Sequence, residues 1–356
     1  MSPAGTAPNR LTLTRPDDWH LHLRDGAALA AVLPATARVF ARAIVMPNLK
    51  PPVTTVAAAA AYRDRIRAAS RQWRADFTPL MTLYLTDSTS PDEVKRAKES
   101  GFVHAFKYYP AGATTNADAG VSKLERAYAA LAEMESEDFV LCVHGEVTDA
   151  DVDVFDRERV FVDRELAQIV SDFPGLRVVV EHITTCEAAQ FVADAGRNVA
   201  ATITPQHLLY SRNALFAGGL RPHLYCLPVL KREAHRAALV AAATSGNPKY
   251  FLGTDSAPHA RGTKEHACGC AGCYSAPFAL PLYAEAFEDA GALDRLEGFA
   301  SWFGADFYRL PRNVGHVTLV RETDAVPAEL AFGEHRIVPL RAGESVRWRV
   351  ETSGDR

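Results

Sequence analysis

Short runs rich in β-branched residues alternate with longer amphipathic stretches, and this alternation limits the fold more than any other feature. Eight runs predict strands, and each is followed by a segment long enough to cross back over a sheet. Most of their residues are apolar, as expected for strands covered on both faces. We therefore predict an α/β fold, a (β/α)8 TIM barrel with extra helices near its carboxyl end. The runs are LTLTRPDDWHLHL, RAIVMPN, FTPLMTLYLT, VHAFKYY, FVLCVHGE, LRVVVEHIT, NVAATITPQ and YFLGTDSAPH.

The chain length fits one such barrel. A typical barrel takes about 250 residues, and this chain has 356, which leaves room for insertions and a tail. Residues 276–310 predict extra helices after the last strand, and HRIVPLRAGESVRWRV predicts a small terminal β element with Gly343 in a turn. We expect a single domain over residues 1–356.

Charge and the first residues narrow the class of protein. The formal net charge is -4 and no basic stripe stands out, so a nucleic-acid-binding protein is set aside. The start, MSPAGTAPNR, has no apolar core of signal-peptide type, and charges or prolines interrupt the alanine-rich runs before they could span a bilayer. We expect a cytoplasmic protein without membrane contact, whose six cysteines are reduced.

Residues that could bind a metal recur at the carboxyl ends of five predicted strands. Barrels of this kind build their active sites at that rim, so these side chains are expected to converge. They are His20 and His22 on the first run, Lys107 on the fourth, His144 on the fifth, His182 on the sixth and Asp255 on the eighth.

The first of these strand ends, RPDDWHLHLRDG, raises the question of why two histidines and an arginine are spaced by two. In a strand His20, His22 and Arg24 share one face, which is a chelating geometry beside a cation. An isolated pair of this kind more often forms a solvated strand face or satisfied core histidines. The other strand ends supply the partners that a metal site would need.

The ligand types indicate a pair of first-row ions. Four imidazoles and a carboxylate suit zinc, and they are too many for one tetrahedral catalytic site. Lys107 lies in the apolar run AFKYY, where desolvation lowers the pKa of an amine and lets it take up carbon dioxide as a carbamate. A carbamate could bridge two cations. The alternative is a lysine paired with a nearby carboxylate, which spacing alone would favour.

Together these residues resemble the binuclear amidohydrolase superfamily and, more narrowly, the single-domain (class II) dihydroorotases of bacteria. The similarity extends from about residue 10 to about residue 350. It rests on RPDDWHLHLRDG, AIVMPNLKPPVTT, FKYYPAGATTN, VHGEV, VEHITT, ATITPQHL, RPHLYCLP and FLGTDSAPHA, which occur in this order.

The resemblance implies a metal centre and a reaction. It assigns His20, His22 and Asp255 to a buried zinc ion and His144 and His182 to a more exposed one. Carboxylated Lys107 and a hydroxide would bridge the two ions. The reaction implied is the reversible cyclisation of N-carbamoyl-L-aspartate to L-dihydroorotate and water in pyrimidine biosynthesis, with Asp255 as the proton carrier.

The resemblance also implies how the substrate is held and how the chain assembles. Arg24, Asn48 and His259 would bind the substrate carboxylate, and Thr114 and Thr115 would donate from a mobile loop. Main-chain contacts are expected at Leu227 and Ala271. Family members are often homodimers, and we expect one here.

Three alternatives stay open at this point. One is a related cyclic amidohydrolase such as a hydantoinase or allantoinase, against which Arg24 and Asn48 argue, because those substrates lack the ring carboxylate. Another is a non-catalytic scaffold, although no ligand is missing. The third concerns Cys268, Cys270 and Cys273 in HACGCAGCY, which could bind a structural zinc but are not spaced as paired CxxC motifs, so packing thiols are expected.

Overall fold

A computed structural model describes residues 8–73, 76–267 and 269–351 of the chain. Within these ranges the strands occur in two groups, one before residue 253 and one after residue 315. In chain order they are β1 (Arg10–Thr14), β2 (Asp18–Leu21), β3 (Arg42–Val45), β4 (Thr78–Tyr84), β5 (Val103–Tyr108), β6 (Val140–Val143), β7 (Arg177–Val180), β8 (Val199–Ile203), β9 (Tyr250–Leu252), β10 (His316–Val320), β11 (Asp324–Ala325), β12 (Leu330–Phe332), β13 (His335–Ile337), β14 (Ser345–Val346) and β15 (Arg349–Val350).

Strands β2 to β9 form one parallel sheet in which each strand lies beside the next in the chain. The two outer strands approach each other through a parallel bridge between Leu21 and Ser256. There the Asp255 N–H donates to the His20 carbonyl at 2.9 Å and the His22 N–H donates to the Ser256 carbonyl at 3.2 Å. The predicted barrel of eight parallel strands is confirmed.

Helices flank the barrel, and most cross from one strand to the next. No helix in the described ranges is long and apolar enough to cross a membrane. The α-helices are α1 (Gly26–Val39), α2 (Val56–Ser70), α3 (Pro91–Ser100), α4 (Leu124–Ser136), α5 (Arg157–Phe161), α6 (Ala167–Asp172), α7 (Cys186–Asp194), α8 (Pro205–Leu209), α9 (Glu233–Ala243), α10 (Arg261–Lys264), α11 (Ala279–Asp289) and α12 (Phe303–Phe307), with π-helical turns at Val162–Leu166 and Gly298–Trp302 and 3-10 turns at Arg212–Phe216, Pro222–Leu224, Ala276–Phe278 and Leu293–Arg295.

Helix α3 shows how local sequence sets an element's ends. The Ser90 side chain accepts from the Glu93 N–H, Pro91 occupies the first turn, and Gly101 ends the helix with a φ of 67°. The Glu93 side chain reaches a neighbouring helix, where its Oε1 accepts from the Val56 N–H at 2.7 Å. It therefore links α3 to the start of α2.

The first predicted strand is in fact two strands, and this part of the prediction is wrong. Strand β1 pairs antiparallel with β10 in a small outer sheet that also holds β15, whereas β2 belongs to the barrel. The break lies at Arg15–Asp17, where Pro16 has no N–H to donate to a ladder. The predicted terminal β element is confirmed, and Gly343 lies in a turn with a φ of 76°.

The barrel interior is filled at the amino-terminal ends of the strands by an apolar cluster that we call the plug. Alternate residues of the strands contribute to it, as a period of two requires. The Trp19 and Tyr308 rings stack at its base with centroids 4.5 Å apart. The plug consists of Trp19, Ile44, Met46, Leu80, Ala105, Val140, Cys142, Val179, Ala200, Phe251, Ala305 and Tyr308.

Candidate metal centre and substrate cavity

The predicted metal-binding residues all lie near the carboxyl ends of barrel strands. His20 and Lys107 lie inside β2 and β5, and His144 directly follows β6. His182 and Asp255 follow β7 and β9 closely, and both have a φ of 42°. Left-handed backbone at a residue other than glycine costs about 1–3 kcal/mol and is concentrated at functional sites.

His20, His22 and Asp255 form a compact group that could hold one ion. Their ligand atoms all lie within 4.8 Å of one another, and all three residues are buried. Asp255 Oδ1 lies 3.1 Å from His22 Nε2 and 3.5 Å from His20 Nε2. Two imidazoles and a carboxylate around one point match a zinc site in number and type of ligand.

His144, His182 and Lys107 lie beside this first group. The His182 ring centroid is 4.9 Å from that of His144 and 4.9 Å from that of His20. The Lys107 side chain is completely buried, and its Nζ lies 4.9 Å from the centroid of the Tyr109 ring. The structure therefore brings together all six residues predicted to bind metal.

Several buried atoms in this cluster have no hydrogen-bond partner among the described residues. Among them are His20 Nε2, Lys107 Nζ and His182 Nδ1. An unsatisfied buried polar group costs about 1–3 kcal/mol, so such a concentration of them needs a ligand to explain it. Bound metal ions would give these atoms partners, and the residues present fit that assignment.

Burial sets the protonation of these groups. Burial, followed by the charge of Lys107, holds the pKa values of His20 and His182 well below the usual range, which favours the neutral imidazoles that bind metals. Burial also lowers the pKa of Lys107, against the opposing charge of Glu181. Burial alone would raise the pKa of Asp255, but the His22 hydrogen bond and nearby positive charges hold it below its usual value.

Two buried acids, Glu181 and Asp18, contact His20, and sequence reasoning missed Glu181. Glu181 Oε2 lies 2.9 Å from His20 Nδ1 and accepts from the Thr202 hydroxyl at 2.5 Å. Asp18 accepts from the Thr254 hydroxyl at 2.6 Å and from the backbone N–H of His20 at 3.2 Å. Burial raises the pKa of each acid to about 7. These contacts orient His20 for metal binding.

Strand alternation explains why Glu181 was missed. A residue next to His182 in a strand would point to the opposite face. Strand β7 ends at Val180, and the positive φ of His182 allows both side chains to face the interior. A third buried acid, Glu146, supports another of the histidines, since its Oε2 lies 2.8 Å from His144 Nε2.

The residues expected to bind a substrate carboxylate lie beside the histidines. Arg24 Nη2 is 3.0 Å from His259 Nε2, and Arg24 Nε donates to the Pro258 carbonyl at 3.0 Å. Asn48 Oδ1 is 2.8 Å from His22 Nδ1. Arg24 does not share a strand face with the histidines as expected, since β2 ends at Leu21 and Arg24 has a φ of 59°. A turn, rather than strand alternation, brings it to the site.

The loop after β5 lies over the mouth of the barrel. Asn48 Nδ2 donates to the Thr115 carbonyl at 3.2 Å, and Asn116 Nδ2 donates to the Asn48 carbonyl at 3.1 Å. These two hydrogen bonds join the loop to the end of β3. Thr114 and Thr115 line the cavity, and their donation to a substrate stays a prediction.

The cavity at the mouth collects most of the predicted residues. Lys107 and His259 are not part of its lining, whereas Tyr109, Ala257 and Gly272 line it without having been predicted. Its lining consists of His20, His22, Arg24, Asn48, Tyr109, Thr114, Thr115, His144, His182, Leu227, Asp255, Ala257, Ala271 and Gly272.

The cysteine cluster lies next to the cavity. Cys268 falls outside the described residues, and Cys270 and Cys273 are free thiols, as is Cys226. Among the described residues, neither Cys270 nor Cys273 belongs to a group that could hold an ion. That these cysteines are packing thiols stays a prediction.

A parallel eight-stranded barrel with buried histidines and an acid at its mouth defines a metal-dependent hydrolase. Residues 17–342 match the model of the amidohydrolase family. The dihydroorotase of Cupriavidus metallidurans is 67% identical over 341 residues, which is 96% of this chain and 99% of that protein. The chain belongs to the amidohydrolase family and, within it, to the dihydroorotases.

Solved structures agree with this assignment. The dihydroorotase of Campylobacter jejuni is 35% identical, with a TM-score of 0.89 over 98% of this chain and 99% of that chain. The dihydroorotase of Saccharomyces cerevisiae, in complex with 5-fluoroorotic acid, is 33% identical, with a TM-score of 0.89 over 97% and 99% of the two chains. The chain is therefore a hydrolase that acts on a cyclic amide.

Proposed function

We propose that this dihydroorotase interconverts N-carbamoyl-L-aspartate and L-dihydroorotate, with loss or addition of water, using two zinc ions. One observation supports this most strongly: four buried imidazoles, Asp255 and the amine of Lys107 converge beneath a cavity that Arg24 also lines. The reaction needs both features, because it cleaves an unactivated amide in a substrate that carries a carboxylate.

The metal centre would use the two groups described above. His20, His22 and Asp255 would hold one ion, and His144 and His182 the other. Lys107, carboxylated by carbon dioxide, would bridge them, which would use the buried Nζ that otherwise has no hydrogen-bond partner among the described residues. When bound, two such ions activate a water molecule and polarise the amide carbonyl.

Asp255 is the residue that would move the proton. Its low pKa leaves the carboxylate ionised and ready to accept, and its Oδ1 lies 3.1 Å from His22 Nε2, at the cavity wall. In ring opening the carboxylate would accept a proton from water and pass it to the departing ring nitrogen. In ring closure it would remove a proton from the carbamoyl nitrogen.

Arg24, Asn48 and His259 would hold the substrate carboxylate away from the ions. A guanidinium binds a carboxylate through two parallel hydrogen bonds. The contacts of Arg24 with the Pro258 carbonyl and with His259 Nε2 fix the orientation of its guanidinium. Thr114 and Thr115 would donate from the loop, and the main chain at Leu227 and Ala271 would contact the ring. The yeast relative supports this assignment, since its structure holds 5-fluoroorotic acid, a carboxylated pyrimidine.

The test is a paired assay on one purified sample. We expect turnover of both L-dihydroorotate and N-carbamoyl-L-aspartate, together with two zinc ions per chain by elemental analysis. Hydantoin, which lacks the ring carboxylate, should be turned over poorly. Faster turnover of hydantoin would favour the related cyclic amidohydrolases, and a dialysed protein without metal or activity would favour a scaffold. A homodimer, a cytoplasmic location and a single domain over residues 1–356 remain predictions.

A further inference from the structure

Lys264 is a buried amine that no step of the proposed reaction uses. It lies at the end of α10, and only 5% of it is exposed. Its Nζ donates to three backbone carbonyls, those of Tyr225 at 2.7 Å, Cys270 at 2.9 Å and Gly272 at 2.7 Å. An ammonium group has three N–H donors, so these carbonyls match its full donor capacity.

The three carbonyls belong to two segments that form one wall of the substrate cavity. Tyr225 lies two residues before Leu227, and Cys270 and Gly272 flank Ala271. Leu227, Ala271 and Gly272 all line the cavity. The Gly272 N–H also donates to the Tyr225 carbonyl at 3.0 Å, so Lys264 lies where the two segments meet.

The anchored carbonyls fix the direction of other main-chain groups. In a trans peptide the carbonyl of one residue and the N–H of the next point in opposite directions. Holding the Cys270 carbonyl on Lys264 therefore directs the Ala271 N–H away from the lysine. A positive charge on the carbonyl side also polarises that peptide and makes its N–H a stronger donor.

We propose that Lys264 is a positioning residue for substrate binding, which holds the main chain around Leu227 and Ala271 in the arrangement that contacts the pyrimidine-like ring. The inference rests on the proposed function, because it concerns contacts to L-dihydroorotate. It adds a residue that touches neither the metal centre nor the carboxylate clamp. Replacing Lys264 should therefore change the affinity for the substrate and not the metal content.

The experiment replaces the amine with an apolar side chain of similar length in the zinc-loaded enzyme. We expect Lys264→Met to raise the KM for L-dihydroorotate about tenfold, the equivalent of about 1.4 kcal/mol or one well-placed hydrogen bond. The kcat should change less than about threefold, and the zinc content should stay at the wild-type value.

Lys249 provides a matched control at the carboxyl end of α7. Its Nζ also donates to three backbone carbonyls, those of Val192, Ala193 and Ala195, but these lie at the carboxyl end of a helix and not in the cavity wall. Lys249→Met should lower the melting temperature and leave KM within about twofold of wild type, since hydrogen bonds of the same kind are lost elsewhere.

The outcomes separate this inference from the proposed function. An inactive wild-type enzyme would contradict the proposed function. An active wild type with equal KM values in Lys264→Met and Lys249→Met, or with zinc lost from Lys264→Met alone, would overturn the positioning role. If Lys264→Met does not fold, Lys264→Arg takes its place. Its guanidinium keeps the charge, but it is larger and planar and would have to displace the three carbonyls to donate to all of them. A raised KM therefore supports the inference and an unchanged one refutes it.

Discussion

The two ends of the barrel interior use the same strands for opposite purposes. At the amino-terminal ends the inward residues are apolar and form the plug, with Ile44, Leu80 and Phe251 among them. At the carboxyl ends the inward residues are histidines, acids and a lysine, several with buried atoms that lack a hydrogen-bond partner in the described chain. The apolar end is stabilised by packing, whereas the polar end needs a bound ligand to give its buried atoms partners.

The transition occurs within single strands. On β5, Ala105 belongs to the plug, and Lys107, the next inward residue toward the carboxyl end, is one of the proposed metal ligands. On β9 the step between Phe251 and Asp255 is Gly253, where a Cβ would lie 2.7 Å from the Thr202 Cβ and 3.1 Å from the His20 Cβ. A glycine is required there because the Thr202 side chain occupies the space, with His20 close behind it.

The plug also requires a glycine at its base. A Cβ at Gly304 would lie 2.1 Å from Trp19 Nε1. Helix α12, which contains Gly304, can therefore pack this closely against Trp19 only with a glycine at that position. The two ends therefore differ in what close contact achieves. In the plug it removes apolar surface from water, and at the mouth it concentrates ligand atoms. Substitutions at the two ends should separate stability from chemistry.

The largest effect on activity is expected from Lys107→Ala. Loss of the bridging group should lower kcat/KM by at least about a thousandfold, or about 4 kcal/mol, and should lower the zinc content. Compared between the metal-free proteins, the unfolding free energy should not fall, because there the variant removes a buried amine with no hydrogen-bond partner among the described residues. Steady-state kinetics, elemental analysis and urea unfolding measure the three quantities.

Carboxylate rescue is the control for this variant. Acetate or propionate should restore part of the activity of Lys107→Ala, because a short acid can occupy the place of the carbamate. Full activity without added acid would contradict the bridge. Activity of the wild type with an unmodified amine, as read from its intact mass under non-denaturing conditions, would do the same.

Arg24→Met should have the next largest effect on activity. The variant leaves the substrate carboxylate unpaired and should weaken binding of L-dihydroorotate by about 2–5 kcal/mol, with the zinc content unchanged. The KM and elemental analysis are measured on the same preparation. A parallel loss of zinc would show that the arginine is structural.

Arg42 is a matched control at the opposite end of the barrel. It binds Asp17 through two hydrogen bonds, Nε to Oδ1 at 3.0 Å and Nη2 to Oδ2 at 2.5 Å. Arg42→Met should lower the unfolding free energy, since it leaves a buried carboxylate without its cation. It should leave the KM unchanged, and an increase comparable to that of Arg24→Met would contradict the division between the two ends.

Much of the fold and site could be predicted from sequence because the relevant signals are local. Apolar runs and helix ends gave the barrel, and the position of His144 and His182 at strand ends indicated the rim. The apolar run AFKYY correctly predicted a strand around Lys107. Period-two alternation failed for Arg24, because β2 ends at Leu21 and Arg24 has a positive φ.

The remainder depends on contacts between residues that are distant in the chain. Asp18 accepts from the His20 N–H directly, but the Thr254 hydroxyl that holds the Asp18 carboxylate lies 236 residues away in sequence. Lys264 meets Tyr225 across 39 residues. Neither pairing leaves a periodic signal, so only the folded barrel reveals them.

The smallest effect on activity is expected in the plug. Leu80 is buried on β4, a strand that carries none of the proposed metal ligands, and Leu80→Ala should lower the unfolding free energy by about 2–5 kcal/mol through lost burial and a cavity. The kcat/KM of the folded variant should stay within about twofold of wild type, measured at a temperature well below its melting point. Ile66→Ala, buried in α2 outside the barrel, is the control and should show a similar loss of stability. If Leu80→Ala reduced kcat/KM tenfold or more while Ile66→Ala did not, the plug would help to position the metal centre, and the two ends of the barrel could not be treated as separate.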